Sequence, residues 1–249
     1  MKSIALLTTL LAFTISARAS VTETFKQAYP LTADGVVQLE NVNGDIEITA
    51  WDKAEVSLEA VKRSKDSDGL KLIEIVIDAQ PAQLTVKTKF PKHTGWSLFG
   101  NNDDSVRYKL NVPAGARLEK IETVNSDITV TGVHGPVRLV TVNGSLTATG
   151  LQADARLDSV NGSLRAEFTA MEHVREVKLS SVNGRLEVTL PKGASASIRT
   201  SSVNGGSSVA QPIKLSHSGS HQLAGDIGSS AGPHIELDTV NGGIAVKEK

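Results

Sequence analysis

The stretch ARLDSVNG, residues 155–162, decides how this chain is read. Ala155 and Leu157 alternate with Arg156 and Asp158, the period-two pattern of a half-buried strand. The small polar Ser159 follows, and then Val160-Asn161-Gly162 marks a corner. The same sentence is written at 37–44 (VQLENVNG), 137–144 (VRLVTVNG), 177–184 (VKLSSVNG), 198–205 (IRTSSVNG) and 235–242 (IELDTVNG), with a variant, IETVNSD, around Val124. From Val124 onward the corner valines stand 18, 18, 22, 21 and 37 residues apart (Val124, Val142, Val160, Val182, Val203, Val240). A near-fixed period of this kind marks a repeat architecture.

Counted from the corner valine, the position three before is Leu39, Ile121, Leu139, Leu157, Leu179, Thr200 or Leu237. Five before it, Val37, Val137, Ala155, Val177, Ile198 and Ile235 are apolar, and Glu119 breaks the column. The positions four and six after it are also mostly aliphatic, so strands are expected on both sides of the corner. The corner pairs are Asn43-Gly44, Asn143-Gly144, Asn161-Gly162, Asn183-Gly184, Asn204-Gly205 and Asn241-Gly242. Asn and Gly both tolerate positive φ, which supports a tight turn there. An isolated Asn-Gly would suit a hairpin, and a meander of antiparallel hairpins is the alternative arrangement. Repetition of whole columns favours parallel stacking, coil upon coil, with the Asn amides bonded along a ladder. The expected fold is therefore all-β: a parallel β-solenoid of about 18–22 residues per coil.

Residues 56–112 lack the period. EVSLEAV, IEIVID, AQLTVKT and VRYKLNV read as strands, with a turn at Gln80-Pro81, and the section is expected to be irregular and antiparallel, capping the regular coils of 113–249. The extra residues near MEHVRE and before Thr239 read as loops, and no helix is expected beyond the leader. Trp51 falls in the column of Val133 and Leu151 and is expected in the core. Trp96 and Phe99 are expected to fold back as a cap.

The first 19 residues stand apart. Lys2, an apolar run from Ile4 to Ile15 and Ala17-Arg18-Ala19 have the form of a cleaved secretory signal, placing residues 20–249 as one exported domain. The run is shorter than the roughly 20 apolar residues a membrane span needs, and none follows, so no transmembrane span is expected in the mature chain. Of 249 residues, 39% are hydrophobic and 4% aromatic; the net charge is −1 and cysteine is absent. The charge gives no global pull toward nucleic acid. The lack of cysteine excludes disulfides, thiolate metal sites and cysteine nucleophiles.

NVNGDIEITAWDKAEV (41–56), VRYKLNVPAGARLEKIETVNSDITVTGVHGPV (106–137), the serial TVNGSL units and the turns LNVPAG and LPKG together resemble a bacterial family of adhesin-like β-solenoid domains. The resemblance covers most of the chain. It implies a β-solenoid in the cell envelope, and it offers no catalytic residues.

One column carries charge. Four before the corner valine stand Lys120, Arg138, Arg156, Lys178 and Arg199, alternating with apolar positions and so facing solvent. Stacked on successive coils they would span about 19 Å. Two readings are open: a binding strip for an anionic envelope polysaccharide or an envelope protein, or a solvated face that guards against strand addition. For an enzyme, Glu122 and Asp158 would lie about 9.6 Å apart, near the upper end for an inverting carboxylate pair. Six scattered histidines and the pairs Asp66/Asp68 and Asp103/Asp104 make no recognisable metal motif, and no cofactor is expected.

Overall fold

A computed structural model describes residues 20–90, 104–219, 221–229 and 232–249. The leader expected at 1–19, and Trp96, Phe99 and Asp103, lie outside the described residues. Strands β1 (Val21–Pro30), β2 (Val36–Glu40), β3 (Ile46–Trp51) and β4 (Glu55–Ser64) precede the helix α1 (Ser67–Leu72), and β5 (Glu74–Gln80), β6 (Gln83–Lys89) and β7 (Ser105–Pro113) follow it. Then come β8 (Arg117–Glu122), β9 (Ile128–Thr131), β10 (Val137–Asn143), β11 (Leu146–Asn161), β12 (Leu164–Asn183) and β13 (Leu186–Leu190). The chain closes with β14 (Ala196–Asn204), β15 (Ser207–Val209), β16 (Ile213–Ser218), β17 (Gln222–Ile227), β18 (His234–Asn241) and β19 (Ile244–Glu248). No helix among the described residues is long and apolar enough to cross a membrane.

Each repeat is a rung with one limb before its Val-Asn-Gly corner and one after it. The limbs before the corner pair side by side in the order β6, β2, β8, β10, β11, β12, β18, β14, all parallel. The limbs after the corner pair as β7, β3, β9, β11, β12, β13, β19, β15, also parallel. The long strands β11 and β12 pass from the second layer of one rung into the first layer of the next. The aliphatic columns meet between the layers, where Leu39, Ile121, Leu139, Leu157, Leu179 and Leu237 are all fully buried. Parallel stacking rather than a hairpin meander is the result, because it alone sets every column against itself.

The order of rungs departs from the order of sequence at both ends. The rung of Val240 lies between those of Val182 and Val203. The rung of Val42 lies between that of Val124 and an outer rung built from β6 and β7. Residues 56–112 are thus not wholly non-repeating. They contribute one more parallel rung, and their antiparallel part is β1–β4–β7 and the hairpin β5–β6. At the other end the small-residue stretch before Thr239, expected as a loop, forms the hairpin β16–β17, which pairs antiparallel with β14. MEHVRE is likewise strand, absorbed within β12 by three register shifts against β11.

Three further expectations are corrected. A helix does occur after the leader: the Asp66 side chain accepts from Gly69 N and starts the single short turn α1. Trp51 is only half-buried; its indole N–H donates to the Glu55 carbonyl, and the Lys53 ammonium lies 4.6 Å from the ring centroid. Glu119 breaks its column because β8 bulges there. Leu118 takes the buried place opposite both Val37 and Val137, and Glu119 turns outward.

The corners are built differently from a left-handed turn. Among the described residues none other than glycine has positive φ, and of the corner glycines only Gly44 does, at 108°. Gly144, Gly162, Gly184, Gly205 and Gly242 are needed for close approach: a β-carbon on each would fall well inside 3.0 Å of a carbonyl oxygen of the neighbouring rung. The Asn ladder is present. Asn125 donates to Asn43, Asn143 to Asn125, Asn161 to Asn143, Asn183 to Asn161, Asn241 to Asn183 and Asn204 to Asn241, at 2.7–2.9 Å. Beneath it the buried hydroxyls of Ser159, Ser181, Thr239 and Ser202 donate to the Gly144, Gly162, Gly184 and Gly242 carbonyls at 2.9–3.2 Å.

Candidate functional site

The outward face of the first layer holds the charged column. Its members, rung by rung, are Gln38, Lys120, Arg138, Arg156, Lys178, Glu236 and Arg199. The five cations therefore do not occupy five successive rungs. Lys120, Arg138, Arg156 and Lys178 do, and Glu236 separates Lys178 from Arg199, because the rung of Val240 is inserted there. The expected repulsion between like charges is relieved in part by this arrangement.

Most of the row is also neutralised, from the adjoining outward column or from Glu236 within it. Lys120 Nζ lies 2.5 Å from Glu40 and 3.5 Å from Glu122, and Lys87 shares Glu40 at 2.6 Å. The hydrogen bond with Lys120 holds the Glu40 carboxyl below the usual range and raises the Lys120 ammonium. Arg156 Nε donates to Asp158 at 2.8 Å. Lys178 pairs with Glu236 at 2.5 Å, which lowers the carboxyl and raises the ammonium. Arg199 lies in the electrostatic reach of Glu236 and Asp238. Burial, with Glu236 adding to it, raises the Asp238 carboxyl.

Arg138 differs. Its side chain is exposed, and among the described residues it has no ion pair or side-chain hydrogen bond. On its rung the outward neighbour is Val140, where Arg156 has Asp158. The guanidinium borders a groove of about 360 Å³ with Arg117, Arg156 and Lys178, floored by Leu118, Pro136, Val137 and Ala155. Glu119, Asp154 and Glu176 also line it. Glu119 is held by Arg117 at 3.0 Å, and Asp154 by Arg175 at 3.6 Å and by the Arg175 and Glu176 backbone N–H groups. Of the four cations on successive rungs, Arg138 is thus the one without a carboxylate partner. Arg199, beyond Glu236, also makes no ion pair or side-chain hydrogen bond among the described residues but lies beside Glu236 and Asp238.

Glu122 and Asp158 do stand two rungs apart, with Val140 between them. Each is ion-paired with a cation of its own rung. No cluster of metal-ligating side chains occurs among the described residues.

One surface was not read from the sequence. The corner valines Val124, Val142, Val160, Val182, Val240 and Val203 are 36–55% exposed and stack into an apolar ridge beside the Asn ladder. Parity could have found it: the buried hydroxyl one position earlier places each valine outward.

The fold is shared with a solved structure. A crystal structure described as "a putative cell adhesion protein" from Clostridium sporogenes is similar at TM-score 0.53 and 14% identity, over 91% of this chain and 100% of that one. One described as "a putative adhesin" from Bacteroides fragilis aligns at TM-score 0.41 and 12% identity, over 91% of this chain and 97% of that one. At such identity the likeness speaks for fold alone. No curated protein matches the chain. The profile of one family matches residues 30–247, from the end of β1 to β19, and by that match the chain belongs to the Toastrack DUF4097 family.

Proposed function

We propose that this protein is a non-enzymatic, exported interaction module of the bacterial envelope whose parallel stack, a β-solenoid, presents a docking point for an anionic polymer at Arg138. The carrying observation is the contrast along the four successive cationic rungs: Lys120, Arg156 and Lys178 have carboxylate partners at 2.5–2.8 Å, and Arg138 has none. An exposed guanidinium over an apolar floor suits a carboxylate or phosphate, which it can grip with two parallel N–H bonds. An acidic or phosphorylated envelope glycan supplies such groups at intervals. The family match and the adhesin-like relatives support a role in contact rather than turnover, and the signal-like leader supports export.

The test is co-sedimentation with acidic and neutral envelope polysaccharides at low and high salt, with polymer length followed in parallel. Binding to acidic chains only, weakened by salt, is expected, and Arg138→Glu should weaken it about tenfold. Equal binding by the Arg138→Glu variant would remove the proposal. Shortened polymer would replace it with a glycan-cleaving activity.

A further inference from the structure

The two ends of the first layer are open strand edges. On one side the layer stops at β5 and on the other at β16, and the outer backbone edges of both have no hydrogen-bond partner among the described residues. Natural proteins blunt such edges with bulges, proline or inward charge, since an open edge recruits another strand. Neither β5, EIVIDAQ, nor β16, IKLSHS, contains proline or an inward charge, although β16 carries one irregularity between Leu215 and His217.

The inner sides of both edges are apolar. Ile75, Ile77 and Ala79 stand opposite Thr88, Val86 and Leu84, on the core side of β5. Ile213 and Leu215 stand opposite Ile227 and Gly225, on the core side of β16. Leu215 faces the same way as the core yet is 51% exposed, because no further rung covers it.

Strand direction is also compatible. β16 runs with β14, through two antiparallel steps, and β14 runs with β18, β12, β2 and β6. β5 runs against β6. A second copy stacked along the same axis would therefore set β16 antiparallel to β5. Leu215 opposite Ile77 and Ile213 opposite Ala79 continue the core from one copy to the next. That same register sets Lys214 opposite Asp78 on the outer face, and a slip of two residues would oppose Lys214 with Val76 or Gln80. Directly opposed unlike charges stabilise a strand pair and help fix its register.

We infer that the chain associates head to tail with copies of itself, β16 of one copy pairing with β5 of the next. This is independent of the Arg138 reading. The contact is heterologous, so it propagates as an open stack.

The experiment is sedimentation velocity of the purified protein over about a hundredfold range of concentration, since association follows mass action. Species larger than the monomer should grow with concentration. Asp78→Lys, opposite Thr85 in its own hairpin, should hold the protein monomeric with unchanged circular dichroism. Lys214→Asp should do the same although it also opposes Asp226 of β17, and restoration by the partner variant separates lost pairing between copies from a loosened hairpin. An equimolar mixture of the two variants, or the double variant, should restore association. A monomer at every concentration would overturn the inference, and so would association that ignores both substitutions or is not restored by the mixture.

Discussion

Gly162 shows how residue identity can be legible while its reason is not. The repeated Asn-Gly invites a left-handed turn, yet Gly162 has no positive φ; it is glycine because the Gly144 carbonyl of the neighbouring rung occupies the place of a β-carbon. Gly162→Ala should therefore cost about 1–3 kcal/mol, the range for overpacked positions. Gly206→Ala, where nothing lies within 4 Å, should be near neutral. Thermal melting of the two variants separates steric need from turn conformation. Asn161 accepts from Asn183 and donates to Asn143 in the ladder, so Asn161→Ala should lose about 1–2 kcal/mol, two modest hydrogen bonds, in the same assay. Tyr108 gives a pH signature. Burial pushes its phenol from 10.0 to about 12, opposed only by the Thr88 hydrogen bond at 2.7 Å. The folded protein keeps the proton where the unfolded chain has released it. The stability this confers is complete below pH 10 and falls between about 10 and 12, by roughly 2–3 kcal/mol. The denaturant midpoint of the wild type should fall across that window relative to that of Tyr108→Phe, which has no phenol to ionise.

At the scale of the element, rung content was legible and rung order was not. Alternation, corner residues and inward columns named both limbs of every Val-Asn-Gly repeat, because burial of one strand face leaves that trace, but not the outer rung of β6 and β7, which has no such corner. It leaves no trace of which rung lies beside which, since identical columns fit any neighbour. One hint was present. Thr200 and Ser207 replace aliphatic residues in the core columns of the Val203 rung and bond to each other at 2.8 Å, as suits the last parallel rung before the cap. Short-range breaks were also hidden: the six-residue α1 has too few turns to show a period, and the bulge at Glu119 is a single extra residue. The inserted rung carries its own prediction. Chain termini ordinarily fray, but β18 and β19 have parallel neighbours on both sides. Hydrogen exchange should find them protected like β12, with the edges β15 and β16 exchanging first.

For the whole molecule, both ends are built in the same way. The outermost parallel rung comes from interior sequence, a terminal repeat is sewn in behind it, and antiparallel strands finish the stack. This order also shapes the candidate site, for Glu236 enters the cation row only because the Val240 rung lies between those of Val182 and Val203. The sequence displayed every cation of that row and concealed the carboxylate that divides it. The chain has no cysteine, so paired cysteines can report the order directly. A disulfide tolerates Cα separations up to about 7 Å, which adjacent rungs meet and rungs two apart, at about 10 Å, do not. The measurement is oxidative cross-linking of three double variants at the corner ladder. Asn183→Cys with Asn241→Cys, and Asn241→Cys with Asn204→Cys, should cross-link readily, and Asn183→Cys with Asn204→Cys should not. The Asn241→Cys with Asn204→Cys pair bridges in either order and serves as the positive control. Efficient bridging of the last pair, without the first, would mean that the rungs stack in sequence order, and the inserted rung and the divided cation row would both be wrong.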